Sequence, residues 1–576
     1  MLDILLLNVH RRYLNYKPQY GGFLGIYLLS AFLRQEGYES KGFSGSLQEG
    51  KRHIDALCSS GNVSMVGLYC DYENITENIL LCRHIKESYG LPVAVGGPQA
   101  TALTADFFLQ SGCDVAVNYE GELTLLELMN YFLEGIGNLS QIAGISYLNA
   151  SGLVKNPDRD LIHNLDALPF IDEKCYLEED TFFHGLSIMT GRGCPFQCSF
   201  CHEGTHTRQV RFRSVENVLA EIDAYLDKWR GGNLYILFTD DTLTLNPERL
   251  CHLCEGISER RKRIPFRWFC EGHVHTLYQH PEMIKYLAQG GCTRIQLGIE
   301  AGTANVLQAY GKNTTPDEII TVVRNCRDAG IMQIYGNIIL AGANFSYEIY
   351  ESDKAFVNQL ITEGQGTVEI GVLTYWPLAQ TKMTNTPKNY GIIIKDADFF
   401  TAAGDFPQVE TVEINRWAVS EMQRKLEEHI SQLMLDMLEN WQVPTERIMT
   451  WFASLYTQVN PSGCGMWFLK LSQEVVLFSY YEMLYLGEGV DSKHVKCIEQ
   501  AHPLRVAPLY RYMKYLPDEK IELRGEVFNK EEREVVILTT GKLSVQDIAV
   551  NVKENISFVT NVLNRLEQKH YIVYTM

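Results

Sequence analysis

No stretch of this sequence approaches the roughly 18 consecutive apolar residues a helix needs to cross a bilayer. The start, Met1-Leu2-Asp3-Ile4-Leu5-Leu6-Leu7-Asn8, lacks the basic flank and the length of a secretion signal and reads as a first β-strand. Positive charge is in deficit: 51 Lys and Arg stand against 70 Asp and Glu, a formal charge of −19. Without a local basic face such a chain repels phosphate backbones, which argues against a nucleic-acid partner. Internal repeats and biased tracts are absent. The 15 cysteines are odd in number and scattered, not crowded as in a disulfide-stapled secreted domain, and the expectation is a reducing cytoplasm with most thiols packed as small apolar groups. Cys251 and Cys254 share one face of an expected helix after Pro247, with no second pair at zinc spacing, and read as core.

What is present is the composition of a globular protein, 46% hydrophobic and 21% charged, and its 576 residues call for several cores, roughly three domains. Residues 1–139 alternate expected strands (Asp3–Asn8, Ser64–Tyr69, Pro92–Val95, Val115–Asn118) with helical periodicity, the pattern of a doubly wound, Rossmann-like α/β sheet that binds its ligand at the carboxyl ends of its strands. Residues 140–180 read as a connector with a short hairpin. Residues 181–406 repeat strand then helix about six times, with strands at Gly185–Met189, Leu234–Phe238, Arg267–Phe269, Arg294–Leu297, Ile334–Ile339 and Thr367–Tyr375, which suits a partial (β/α)6 barrel. Residues 407–576 are mainly helical. Within them 529–576 read as three helices and a strand, a winged-helix pattern with Ser544 capping the second helix.

One cysteine trio has a spacing that demands chemistry: Cys194, Cys198 and Cys201, in Gly191-Arg192-Gly193-Cys194-Pro195-Phe196-Gln197-Cys198-Ser199-Phe200-Cys201-His202. Three thiolates at this spacing can hold three irons of a cubane and leave the fourth open to a chelating ligand. A zinc knuckle recruiting His202 or His206 is the competing reading, disfavoured because the trio follows the first strand of a βα series.

The segment resembles the radical S-adenosylmethionine (SAM) superfamily, whose cluster loop is C-x3-C-x-aromatic-C, with Phe200 as the aromatic. The resemblance implies a [4Fe–4S] cluster whose open iron binds SAM, and an electron from an external donor such as flavodoxin or ferredoxin that splits SAM into methionine and a 5′-deoxyadenosyl radical. It also implies SAM contacts, at Phe200 in the loop and then in strand order. Asp240 and Asp241 end the second barrel strand, with a helix cap as the alternative, and Glu271 ends the third. Gly298-Ile299-Glu300 ends the fourth, where Gly298 and Glu300 match a recurrent "GIE" segment. Lys312 matches a recurrent lysine, with a solvated surface lysine as its alternative. Gly336–Gly342 falls where the family contacts adenine but departs from the usual ending.

Residues 1–139 resemble the cobalamin-binding domain that precedes the barrel in one class of that family. The matching positions are Tyr20, Gly21, Gly22 and Gly25 after the first strand, Tyr69, Cys70 and Asp71 after the third, Gly96, Gly97 and Pro98 after the fourth, and Tyr119, Glu120 and Gly121 after the fifth, close to a G-E-G-E-x-T motif. Glycines there would let a flat corrin approach the backbone. The D-x-H-x-x-G motif that places a histidine on cobalt is missing, and His10 reads as an ordinary loop residue. The resemblance implies a cobalamin-dependent methyltransferase acting on an unactivated carbon of a natural product or peptide. Left open are a cobalamin-dependent enzyme that cyclises or rearranges without methyl transfer, a methylthiotransferase and a non-catalytic winged-helix regulator. From Arg524 onward seven basic residues balance seven acidic ones, so the terminal unit is read as packing, substrate capping or a leader-peptide contact rather than a DNA reader.

Overall fold

The apolar run near the start forms strand β1 (Leu2–His10), with Ile4 to Val9 all buried. A run buried on both faces is what a central parallel strand requires. β1 pairs in parallel with β2 (Ser40–Ser46) and β3 (Val63–Tyr69), and β4 (Val93–Gly96) and β5 (Val115–Val117) continue the parallel series. Helices α1 (Leu24–Gln35), α2 (Leu47–Cys58), α3 (Ile75–Tyr89), α4 (Ala105–Ser111) and α5 (Glu122–Glu134) alternate with them. The order β2-β1-β3-β4-β5 reverses direction at β1, and a ligand cleft opens at the carboxyl ends there.

The computed structural model describes residues 1–10, 24–202, 209–232, 234–395, 406–456 and 465–575. They divide into two compact units, Met1–Phe356 with Gly371–Leu426, and Val357–Ile370 with Glu427–Met576.

Strand β2 was not among the expected strands, because Ser40-Lys41-Gly42-Phe43-Ser44-Gly45-Ser46 shows no apolar alternation. Its small residues answer to packing: a Cβ on Gly42 would lie 2.9 Å from the Tyr27 ring of α1. The expected hairpin exists, but not as part of a free connector. β6 (Ile145–Asn149) and β7 (Gly152–Lys155) pair antiparallel onto β5 and extend the first sheet to seven strands.

The second sheet contains all six expected strands: β8 (Leu186–Ile188), then, after the short β9 (Gly191–Arg192) and β10 (Arg211–Phe212), β11 (Leu234–Phe238), β12 (Phe266–Gly272), β13 (Cys292–Glu300), β14 (Gln333–Leu340) and β15 (Val368–Thr374). Their order is β15-β14-β13-β12-β11-β8, parallel from β8 to β14, and no pairing among the described residues closes the sheet into a full barrel. The intervening helix Pro247–Arg263 begins on an Asn246 cap with proline in its first turn and ends on four basic residues, which suits both poles of its dipole. It buries Cys254, the packing role expected for the pair, whereas Cys251 is half-exposed and its thiol meets Glu255.

The boundary expected at residue 406 shifts. Residues 407–426 group with the first unit, and 357–370 group with the second, where Trp467 Nε1 donates to the Val368 carbonyl (2.8 Å) and Glu369 accepts from the Met466 amide (2.7 Å). Trp451 and Trp467, fully buried, stack at 6.1 Å in the core of that unit. At its end, helices Lys530–Leu538, Val545–Val552 and Ile556–Gln568 lead into strand Ile572–Thr575, and Ser544 caps the second helix. The closing strand pairs with His502–Arg505, so the unit begins upstream of residue 529.

Candidate functional site

The cysteine loop has a two-stranded root. β9 and β10 pair antiparallel, Arg192 opposite Arg211 and Gly191 opposite Phe212, and the loop carrying Cys194, Cys198 and Cys201 leaves and returns through them. A Cβ on Gly191 would lie 2.9 Å from the Phe212 ring and 3.0 Å from the Arg211 carbonyl, so glycine is needed where the strands cross. All three thiols are partly exposed and none is in a disulfide. Three thiolates, each able to take a separate iron, are the donor set of an iron–sulfur cluster.

The loop is fastened to the second sheet. Ser199 donates its amide to the Tyr310 carbonyl (2.8 Å) and accepts from the Met383 amide (3.0 Å). Phe200 meets Tyr310 edge-on at 5.0 Å, a packing role, and does not line the cavity described below. Phe196 stacks on His273 at 3.6 Å, and burial together with the Lys312 charge pushes that imidazole down to about 3, keeping it neutral.

Strand alternation separates the two aspartates after β11. Leu237, Thr239 and Asp241 face a common cavity, whereas Asp240 points away, is buried, and takes both the amide (2.6 Å) and the hydroxyl of Thr190. Asp240 was expected to orient SAM; its carboxylate instead steadies the turn into the cluster loop, with Arg249 donating to the Thr190 carbonyl (3.0 Å). Of the two, Asp241 is the one that faces the cavity. Glu271 at the end of β12 accepts from Gln296 (3.2 Å), and burial with the nearby charges of Asp241 and Glu300 raises it to about 7. Lys312 is no surface lysine: its side chain is 7% exposed and it donates to the Gly298 carbonyl (2.7 Å) and to Glu300 (2.9 Å). A Cβ on Gly298 would fall 2.1 Å from the Lys312 nitrogen, which explains the glycine of the "GIE" segment. Glu300 has φ +60, a left-handed backbone that a glutamate rarely adopts. In the Gly336–Gly342 segment, Gly342 leaves room for the Tyr310 hydroxyl.

A cavity of about 600 Å³ lies at the carboxyl ends of both sheets. Gly25, Tyr69, Gly96, Gly97, Pro98, Tyr119, Glu120 and Gly121 of the expected cobalamin contacts line it, together with Gly193, His202 and Asp241 from the second sheet's side. Tyr20, Gly21 and Gly22 lie outside the described residues. Two expected contacts are corrected. Cys70 is fully buried in the core and does not line the cavity. Asp71 turns its carboxylate to the amides of Glu73 (2.8 Å) and Asn74 (3.2 Å), closing the loop after β3. Gly97, at φ +110, is glycine for the fold itself: a Cβ there would lie 2.6 Å from the Cys70 carbonyl. Glu120 borders the cavity, but its carboxylate is taken by Arg211 (2.7 Å), Arg192 (3.2 Å) and the Ile162 amide (2.8 Å). Burial alone would raise its pKa, yet the two guanidiniums and the amide hold it below the usual carboxylate range. Arg192, Arg211, Thr190 and Arg249 went unnoticed in the sequence, since arginine near a loop is common and its partners lie far away in the chain.

Residues 188–349 of the chain match the family model of the radical SAM superfamily. Over nearly all its length it has, more particularly, the fold of cobalamin-dependent radical SAM enzymes. The structure of the cobalamin-dependent SAM radical enzyme OxsB with aqua-cobalamin and SAM bound matches with a TM-score of 0.59 at 18% identity, covering 98% of this chain and 79% of that one. The radical SAM methyltransferase TsrM from Kitasatospora setae, with cobalamin and a [4Fe–4S] cluster bound, matches with a TM-score of 0.55 at 18% identity, covering 69% of this chain and 78% of that one. An uncharacterized methyltransferase of Pyrococcus horikoshii, PH0819, is 30% identical over 294 residues, 50% of this chain and 60% of its own length. The chain thus spans less than two thirds of this curated relative.

Proposed function

We propose that this chain is a cobalamin-dependent radical SAM methyltransferase, acting on an unactivated carbon of a small natural product or a peptide. The observation that carries the reading is the shared cavity, lined by glycines and apolar groups from one parallel sheet and by the cluster-loop root and Asp241 from the other. Gly25, Gly96 and Gly121 with Leu24, Leu28 and Pro98 present the flat, apolar wall that a corrin requires. Cys194, Cys198 and Cys201 would hold the cluster; Asp241 and Glu271 would receive the cationic end of SAM. Bound there, the cluster would supply the electron that cleaves SAM, and the corrinoid would supply the methyl group. An external flavodoxin or ferredoxin would deliver the electron, and the terminal three-helix unit is where a leader peptide would dock. TsrM and PH0819 both carry the name of methyltransferases, which favours methyl transfer over rearrangement.

Anaerobic reconstitution with iron, sulfide and hydroxocobalamin tests this. Expected are about four irons per chain, a stoichiometric corrinoid, 5′-deoxyadenosine on reduction with SAM, and product heavier by one methylene. A wild-type chain that binds no corrinoid overturns the reading; a product of altered connectivity without added mass replaces methyl transfer with rearrangement.

A further inference from the structure

We propose that Glu120 and Glu122 are positioning residues that lock the root of the cluster loop to the carboxyl end of the first sheet through Arg192 and Arg211, and that Glu120 is not a contact of the corrin. This inference rests on the cofactor reading above and assigns a role to the Tyr119-Glu120-Gly121-Glu122 segment within it.

A carboxylate offers about four acceptor sites, and those of Glu120 meet four donors. Oε1 accepts from Arg211 Nη2 (2.7 Å) and pairs with Arg192 Nη1 (3.2 Å); Oε2 accepts from Arg211 Nη1 (3.1 Å) and the Ile162 amide (2.8 Å). Glu122 takes the other end of the Arg192 guanidinium. Arg211 further donates to the Ile162 carbonyl (2.7 Å). The four side chains are 13%, 4%, 16% and 5% exposed for Glu120, Glu122, Arg192 and Arg211, so two opposite pairs of charges are buried together. Removing one member strands its partner's charge, which makes the group cooperative.

The placement gives this network its leverage. Arg192 lies on β9, two positions before Cys194, and Arg211 lies opposite it on β10, so one carboxylate grips both ends of the cluster loop. On the other side Glu120 and Glu122 flank Gly121, and Tyr119 and Gly121 line the cavity where the corrin would lie. Tyr119 holds φ +59, a backbone that must be imposed from outside. The lock therefore sets the spacing between the two cofactor sites.

The test uses the full chain with its cluster, with and without hydroxocobalamin, in Glu120→Gln, Arg211→Gln and the double variant. Amide hydrogen exchange over 191–201 is expected to quicken at least about tenfold in each single variant without corrinoid, and no further in the double. With hydroxocobalamin bound and reduced, the spin–spin distance between the cluster and cob(II)alamin is expected to broaden while corrinoid occupancy holds. Unchanged exchange over the loop overturns the inference. So does loss of hydroxocobalamin in Glu120→Gln with full binding in Arg211→Gln, the mark of a direct corrin contact. If Glu120→Gln does not fold, Arg211→Lys, which keeps the charge but not the two-pronged fit, carries the same exchange comparison. A wild-type chain that binds no corrinoid sinks the cofactor reading alone, because the exchange measurement still decides the lock.

Discussion

Where the strands of the first sheet end, the cavity meets backbone and apolar groups: Gly96, Gly97 and Pro98 after β4, Gly121 after β5, Tyr69 after β3. Where the strands of the second sheet end, it meets Asp241, with Glu271, Glu300 and Lys312 close behind. The strands that end at the cavity are parallel in both sheets, yet the first side meets it mostly with glycines and apolar groups, its glutamates engaged by arginines, whereas the second brings the Asp241 carboxylate. A flat neutral macrocycle is held by shape and exclusion of water, whereas an amino acid sulfonium is held by electrostatics. Fold alone does not decide which chemistry a strand end performs; the side chains placed there do.

The comparison can be broken most completely at the cluster. Cys198→Ala should abolish 5′-deoxyadenosine production and lower bound iron while leaving hydroxocobalamin binding to the first sheet intact. Parallel loss of both would show that the two ends are one site. Next in size is Lys312→Met, which leaves the Glu300 carboxylate buried beside an apolar chain. Breaking such a pair costs about 3–5 kcal/mol, so the chain should melt lower and cleave SAM poorly with corrinoid affinity preserved.

A pH series separates the sheets without a ligand. Glu271 is raised by burial to about 7 from its ordinary value of 4.5. A group whose folded pKa is raised binds its proton more tightly in the folded state. Its stabilisation is therefore full below about 4.5 and lost as pH climbs through about 7. The loss is roughly 3 kcal/mol at most, read as the fall of urea stability of the cofactor-free chain over that window, and Glu271→Gln should flatten the curve. Gly97→Ala tests the surface side. It forces a side chain into a left-handed position 2.6 Å from the Cys70 carbonyl, costing about 1–3 kcal/mol, and should weaken hydroxocobalamin binding with cluster assembly unchanged. The smallest effect belongs to neither sheet: Ser544→Ala removes the capping box of the helix Val545–Val552. It should cost about 1 kcal/mol and alter neither cofactor, which a calorimetric scan and a reconstitution would show together.

Legibility in the sequence followed the locality of the signal. The six strands of the second sheet carry dense apolar runs, and each lies within a few residues of its expected place. β2 escaped because its glycines and serines answer to Tyr27 of α1, a contact that no local pattern records. The hairpin at 145–155 was recognisable, but its attachment to β5 was not, since strand pairing across a long connection leaves no periodicity. Asp240 and Asp241 are neighbours in the chain and opposites in the structure, because successive residues of an extended segment face opposite sides.

By itself the sequence determined the cysteine spacing, the order of the βα units, and the glycines that mark where strands end; these are covalent facts, and they suffice to name a cluster loop and two parallel sheets. Only the tertiary structure decided which carboxylates face the cavity and which are engaged by arginines. Arg192 and Arg211 lie 72 and 91 positions along the chain from Glu120. An ion pair depends on distance in space, and the chain between those residues contains no record of where it will turn.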